Sequence, residues 1–389
     1  MNPFTFENST KVYFGTGCVA QNLPRLLADC GPKVLLGYGG GSIKKNGIYA
    51  EVTRILAAGG KTVTEFNGIG ANPTYGKVQE GVELVKKQGI DFILAVGGGS
   101  VMDCCKAVAL SARCGGNAWE RFWTHRGQID FTPVPLGVIV TLPATGSEVN
   151  GNAVITNEAA RVKTDRDYPQ CNAKFALLDP TYTYTLPTDQ LTAGGFDILS
   201  HIMETYFSKP DQDNVSDSIS EALMSSVIRN LRLARLNPND YAARSNLMWC
   251  ASMAENRIIK LGKELDFQCH QIEHQLSAYT NCNHGKGLAV LHPVYYKHIY
   301  PFGLSKFKNF AVKVMGINPD GKEDKLIAEE GIEALADFIK ELNLPSTLRE
   351  LGLTEKDVLP EVAASVNLMP GCYKKMSREE ILLILQECW

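Results

Sequence analysis

Between residues 33 and 179 the chain alternates short, continuous apolar runs with segments of helical periodicity, and this alternation restricts the fold more than any other feature. The runs fall at 33–38, 61–66, 91–96, 133–142, 152–156 and 174–179, after a short opening strand and turn over 9–17. Helical patterns fill 22–29, 47–58, 75–88 and 104–113 between them. A strand that is apolar throughout has both faces covered, which is the condition of a parallel sheet with crossover helices on either side. From Thr188 onward the pattern becomes almost wholly helical, over 189–207, 215–233, 241–260 and 267–279 and then in segments to Cys388. The expectation is an α/β nucleotide-binding domain over 1–186 and an all-α domain over 187–389, with the boundary near Leu186 and Pro187. The polar stretch 152–179 is read as two strands flanking a loop that carries Lys163.

Six of the seven histidines lie between His201 and His298. His270 and His274 are four apart in a helical segment, so their imidazoles leave one face. Asp197 and His201 repeat that spacing among Phe196, Ile198, Leu199, Ile202 and Met203. A buried carboxylate and imidazole are costly unless paired or bound to a metal, and one Asp with several His suits a divalent transition ion. Asp197, His201, His270 and His284 are therefore the candidate ligands. Hydrogen-bonded core pairs are the bland alternative, and a structural zinc site using Cys269 and Cys282 is a rival that lacks any Cys-x-x-Cys spacing.

Two glycine runs follow strands. Gly97-Gly98-Gly99-Ser100 leads into a helix, where backbone amides and the helix N-terminus can cradle a phosphate, although tight strand-to-helix turns use glycine anyway. Neither the Gly-x-Gly-x-x-Gly spacing nor a Walker lysine is present, which removes kinase and NTPase readings. Gly39-Gly40-Gly41-Ser42 follows the second strand, with Lys44 and Lys45 beyond it. An acidic residue there would bind a ribose 2′-hydroxyl and repel a 2′-phosphate, whereas amides, a hydroxyl and cations suit the phosphate, so NADP(H) is expected over NAD(H). The hydroxyl-rich turn holding Thr141, Thr145 and Ser147 sits at the end of another strand and can hold phosphate or nicotinamide.

A formal charge of −3 and a pI near 6.2 offer no attraction to nucleic acid or an anionic membrane, so a small-molecule partner is expected. The N-terminus lacks the pattern of a signal peptide, and no apolar run approaches the roughly 18 residues of a membrane span. Eleven dispersed cysteines read as reduced thiols, and the protein is expected to be cytoplasmic.

Asn72-Pro73-Thr74, Gly97 to Ser100 with Asp103, Thr141 with Thr145 to Glu148, Asp197 to His201, and His270 through His284 together resemble the iron-dependent (group III) alcohol dehydrogenases, in their NADPH-dependent butanol dehydrogenase or aldehyde reductase branch. The resemblance spans essentially the whole chain and implies a dinucleotide-binding domain, a helical metal-binding domain with dehydroquinate synthase-like architecture, and a catalytic cleft between them. It places the metal on the same four residues; with the glycine run, Asn72, Gly98, Gly99, Ser100, Asp103, Thr141, Thr145, Ser147 and Lys163 are the expected cofactor-binding positions. It sets His274 beside the nicotinamide rather than among the ligands and implies a homodimer; His274 is the candidate catalytic residue, and the proton comes through it, through solvent or through ribose hydroxyls. Phe267 departs from the tryptophan common in close relatives.

The reaction so implied is reversible hydride transfer between NADP(H) and a small primary alcohol or aldehyde such as butanol or butanal. Fe(II) is the ion the resemblance favours, and Zn(II) fits the same donors. Two other classes stay open. A lyase or synthase resembling dehydroquinate synthase needs basic residues for an anionic substrate, for which only Arg257, Lys260, Lys263 and Lys286 offer themselves between 250 and 290. The other is a non-catalytic nucleotide- or metal-binding relative.

Overall fold

A computed structural model describes residues 1–389 and divides them into two units. One unit comprises Glu7–Leu186 with Asn237–Asn256. Its strands are β1 (Lys11–Phe14), β2 (Lys33–Tyr38), β3 (Thr62–Phe66), β4 (Phe92–Gly97), β5 (Leu136–Val140), β6 (Asn152–Asn157), β7 (Val162–Asp167) and β8 (Phe175–Leu178). Six of them form one sheet in the order β1-β8-β5-β4-β2-β3, every neighbouring pair parallel. The helices of this unit are α1 (Cys18–Ala28), the single turn α2 (Ser42–Lys45), α3 (Ile48–Ala58), α4 (Tyr75–Gln88) and α5 (Gly99–Ser111).

The period-two alternation of the strands explains how both faces are filled. Val34, Leu36, Leu94 and Ile139 pack under Leu23 and Leu27 of α1 and Val52 and Leu56 of α3. Leu35, Ile93 and Val138 face the other way, against Val78 and Val85 of α4 and Met102 and Val108 of α5. The chain thus leaves β2 toward one face and β4 toward the other, although β2 and β4 are neighbours. Such a reversal opens a crevice at the carboxyl ends of the two strands, the usual ligand position in open α/β sheets.

Lys163 lies on β7 and not in a loop. The segment Val162–Asp167 is too polar to read as a strand, yet it pairs antiparallel with β6 through all six residues, Thr156 opposite Lys163. Its ladder hydrogen bonds, rather than an apolar run, make it extended. Helix α5 also begins at Gly99, five residues before the expected start, because Gly98 is the extended residue that opens it.

The other unit comprises Met1–Phe6, Pro187–Leu236 and Arg257–Trp389. It holds α6 (Thr188–Tyr206), α7 (Val215–Leu236), α9 (Gln268–Thr280), α10 (His284–Ile299), α11 (Leu304–Lys313), α12 (Asp324–Glu341), α13 (Leu359–Ser365) and α14 (Arg378–Glu387), and no strand. The intervening α8 (Tyr241–Glu255) belongs to the sheet-containing unit despite its position in sequence. Buried Ser252 on α8 donates to Glu148 at 2.5 Å, and Asn150 donates to the Glu255 carbonyl. No helix is long and apolar enough to cross a membrane.

Candidate active site

Three helices of the second unit bring the histidine-rich residues together. Helix α6 is buried from Leu191 to Tyr206, so Asp197 and His201 project into protein from one face, one turn apart. Helix α9 is buried from Gln268 to Ser277 and carries His270 and His274. Asn283 caps α10 by accepting from the Lys286 N–H, and His284 is the first residue of that helix. Gly285 sets its depth: a Cβ there would lie 2.2 Å from the Ala193 carbonyl oxygen, so only glycine lets α10 abut the backbone of α6.

The result is a cluster in which ligand atoms of Asp197, His201 and His270 all lie within 4.8 Å of one another. Asp197 Oδ1 stands 3.7 Å from His201 Nδ1 and 3.5 Å from His284 Nε2. Tetrahedral ligands about 2.1 Å from an ion are roughly 3.4 Å apart, which these separations approach. Asp197 is 3% exposed, and its Oδ1 accepts no hydrogen bond. A buried carboxylate oxygen in that condition is expensive without a cation. The donor set fits a divalent transition ion.

Two buried carboxylates, absent from the expected site, orient the histidines. Glu204, seven residues after Asp197 on α6, accepts from His270 Nδ1 and from the backbone N–H groups of Cys269 and His270, the last two at 2.9 and 3.2 Å. Glu273 on α9 accepts from His284 Nδ1 and from Ser277. Each imidazole thus has its Nδ1 engaged, so Nε2 is the nitrogen that could meet an ion; such carboxylate–histidine pairs support metal ligands widely. Burial, then the neighbouring Asp266, push the Glu204 carboxyl well above its ordinary range, while the two backbone N–H groups pull it back. The i+7 spacing from Asp197 was the sequence signal for Glu204; Glu273, three residues after His270, had the corresponding i+3 spacing.

His274 lies beside this cluster, its ring 6.3 Å from that of His270 and 5.6 Å from that of His284. No cysteine sulfur joins the metal-competent groups, and burial pushes the Cys269 thiol well up, so the Cys269 and Cys282 alternative has no site. The basic residues that a synthase-like reading called on are partly committed elsewhere. Lys263 is buried against Asp217, and Lys286 pairs with Asp189 at 2.7 Å.

In the sheet-containing unit, the loops after β2, β4 and β5 leave the sheet side by side, with Tyr38 opposite Val96 and Gly97 opposite Val140. Gly99 abuts Thr145, whose Oγ1 would be 2.3 Å from an added Cβ. Ser100 donates to the Ala71 carbonyl at 2.5 Å, which ties the glycine turn to the loop bearing Asn72. Asp103 and Ser147 turn inward: Ser147 donates to Asp103 at 2.6 Å, Asp103 also accepts from the Val154 N–H, and the fully buried Lys106 donates to Ser147 Oγ at 2.7 Å. Their side chains brace the crevice wall. Gly41 holds a left-handed φ of 98°, and Cβ atoms built at Gly40 and Gly41 meet nothing within 4 Å, so that stretch of backbone stands open.

One acid beside this stretch leaves no mark in the local sequence pattern. Glu65 on β3, in register with Leu36, accepts from Tyr38 and Tyr49 and pairs with Lys44 at 3.2 Å. The hydrogen bonds from Tyr38 and then Tyr49 hold its carboxyl at about 2, so it is ionised at neutral pH. It comes from the neighbouring strand and not from the end of β2, so the spacing along β2 does not reveal it.

The profile of the iron-containing alcohol dehydrogenases matches residues 9–180, and that family's C-terminal profile matches residues 191–389. The chain belongs to the iron-containing alcohol dehydrogenase family. It is similar to NADH-dependent butanol dehydrogenase A of Clostridium acetobutylicum, with 39% identity over all of both chains. It is 35% identical to the NADPH-dependent aldehyde reductase YqhD of Escherichia coli over 91% of this chain and 90% of that one. The crystal structure of an NADH-dependent butanol dehydrogenase A from Thermotoga maritima superimposes with a TM-score of 0.93 at 35% identity, covering 100% of this chain and 99% of its own. The dehydrogenase thus has the parallel-sheet and helical units of its family, and its activity is of the alcohol dehydrogenase type.

Proposed function

We propose that the dehydrogenase transfers hydride reversibly between NADP(H) and a small primary alcohol or aldehyde of the butanol/butanal kind, with one divalent ion held by Asp197, His201, His270 and His284. The observation that carries this reading is the buried Asp197 oxygen, without a hydrogen bond and facing two imidazoles at 3.5 and 3.7 Å. A divalent ion there, Fe(II) in keeping with the family and Zn(II) as an alternative, supplies Lewis-acid stabilisation of charge on the substrate oxygen. The nicotinamide supplies the hydride. The chain's own residues do the rest. Glu204 and Glu273 hold His270 and His284 in one tautomer. The buried length of α6 holds Asp197 and His201 within the protein, one turn apart. His274 holds the proton exchanged with the substrate oxygen, since an imidazole can give and take one near neutral pH. His274→Ala is expected to keep its metal content while turnover falls about 10²-fold or more; loss of the metal would instead make His274 a ligand.

The dinucleotide is assigned to the crevice lined by Gly39 to Ser42, Asn72, Gly98 to Ser100, Thr141, Thr145 and Lys163. The open backbone at Gly40 and Gly41, the Ser42 hydroxyl and Lys44 support a 2′-phosphate there. Glu65 favours a second reading, NAD(H), because a carboxylate repels that phosphate and accepts from a 2′-hydroxyl; two of the relatives above are also named as NADH-dependent. Initial rates of butanal reduction by metal-stripped protein reloaded with Fe(II) or Zn(II), with NADPH and with NADH, separate the two. Activity restored by metal and higher with NADPH is the expected result, with Lys44→Ala raising KM for NADPH about tenfold and leaving that for NADH unchanged. A preference for NADH unaffected by Lys44→Ala would establish the second reading, and no oxidation of either cofactor would overturn both.

A further inference from the structure

His292 lies two helical turns along α10 from His284 and has no part in the ligand set described above. It is 0% exposed, walled by Phe196 and Tyr296, and neither of its ring nitrogens has a hydrogen-bond partner within the chain. A fully buried imidazole with two unsatisfied nitrogens is a liability that an apolar side chain would not carry. Its surroundings are specific. One His292 nitrogen, one His270 nitrogen and one Glu204 oxygen all lie within 4.8 Å of one another. His292 bonds neither neighbour directly, yet its nitrogen lies no farther than 4.8 Å from the Glu204 oxygen, a gap that matches the roughly 4.7 Å reach of two hydrogen bonds through a single water.

The acceptor count on Glu204 agrees. A carboxylate has about four lone-pair positions, and three are taken by the N–H groups of Cys269 and His270 and by His270 Nδ1. One position is left on the carboxylate next to His292. A second metal ion at this point is a poorer solution, because His270 Nδ1 is already engaged by Glu204 and the ion would have two protein ligands.

We propose that His292 is a positioning residue for the metal centre: through one ordered water it completes the hydrogen bonding of Glu204 and so fixes the orientation of His270. This rests on the reading of Asp197, His201, His270 and His284 as that centre. The sequence thus accepts a buried polar side chain where an apolar one would pack, in return for a more rigid ligand. Loss of such an outer partner weakens metal affinity by about 10- to 100-fold in metal sites generally.

The test uses the full-length protein stripped of metal and titrated with Co(II), whose visible absorption bands report coordination geometry. His292→Leu is expected to melt, without metal, at or above the temperature of the unsubstituted protein, because the second ring nitrogen, which the water does not reach, is no longer buried without a partner. The same variant is expected to bind Co(II) about 10- to 100-fold more weakly with displaced bands. His292→Gln keeps a donor and is expected to recover part of the affinity; it also decides the matter if the leucine variant fails to fold. Unchanged Co(II) affinity and bands in either variant would overturn the positioning role, as would equal losses of affinity and metal-free melting temperature in both. If the unsubstituted protein binds no Co(II), the metal centre itself falls and this role with it.

Discussion

Asp197→Asn is expected to abolish metal binding and activity together while leaving the metal-free protein at least as stable as before. Asparagine matches the shape of aspartate but presents a neutral amide, so the one anionic donor of the cluster is lost. In the metal-free protein the change relieves a strain, because Asp197 is buried and its Oδ1 accepts no hydrogen bond. The metal-bound state is where the cost appears. At a thousandfold excess of ion over Kd, binding stabilises the native state by about 4 kcal/mol, and the variant is expected to lose that thermal shift. Lewis-acid stabilisation of the reacting oxygen contributes several kcal/mol, so turnover is expected to fall on the order of 10³-fold. Metal analysis of the purified variant, melting curves with and without Fe(II) or Zn(II), and initial rates with butanal measure all three. Stoichiometric metal in the asparagine variant would remove Asp197 from the ligand set, whatever happened to the rate.

The alternation of apolar strands and helices made the sheet-containing unit legible because burial on both faces leaves its mark on every residue of a strand. Lys33–Tyr38 and Tyr75–Gln88 are visible at their observed limits for that reason. Val162–Asp167 is not, since its extended form comes from pairing with β6 and its side chains are mostly polar. Helix α8 shows the same limit at a larger scale: its pattern is plainly helical, but nothing local says that Ser252 meets Glu148 and so places α8 in the sheet-containing unit. The site divides along this line too. Asp197 with His201 and His270 with His274 announce themselves by i, i+4 spacing within single helices. Glu204 and Glu65 act across elements, from α6 to α9 and from β3 to the turn after β2, so their roles depend on packing that one segment does not encode.

Gly285→Ala is expected to damage the centre without touching a ligand. The added Cβ would lie 2.2 Å from the Ala193 oxygen, 2.8 Å from its carbonyl carbon and 3.3 Å from its Cα. All three are backbone atoms of α6, which is buried along most of its length, so no side chain can swing aside. Helix α10 must back away by about 1 Å to restore ordinary contact, and His284, its first residue, moves with it away from Asp197. Overpacking of this kind costs about 1–3 kcal/mol of stability. A misplacement of about 1 Å at a catalytic group can cost 10²-fold in rate, so the functional loss is expected to exceed the loss of stability. Gly287→Ala is the matched comparison. There the nearest atoms, at 3.0 Å, belong to the side chain of Glu273, the partner of His284 Nδ1, and a shift of about a few tenths of an ångström clears them without breaking that bond. The expected ranking is a much larger fall in metal affinity and turnover for Gly285→Ala than for Gly287→Ala, measured by metal titration and butanal reduction on folded protein. Equal and small effects would mean that α10 tolerates the displacement, and that His284 does not need its close approach to Asp197 to hold the ion.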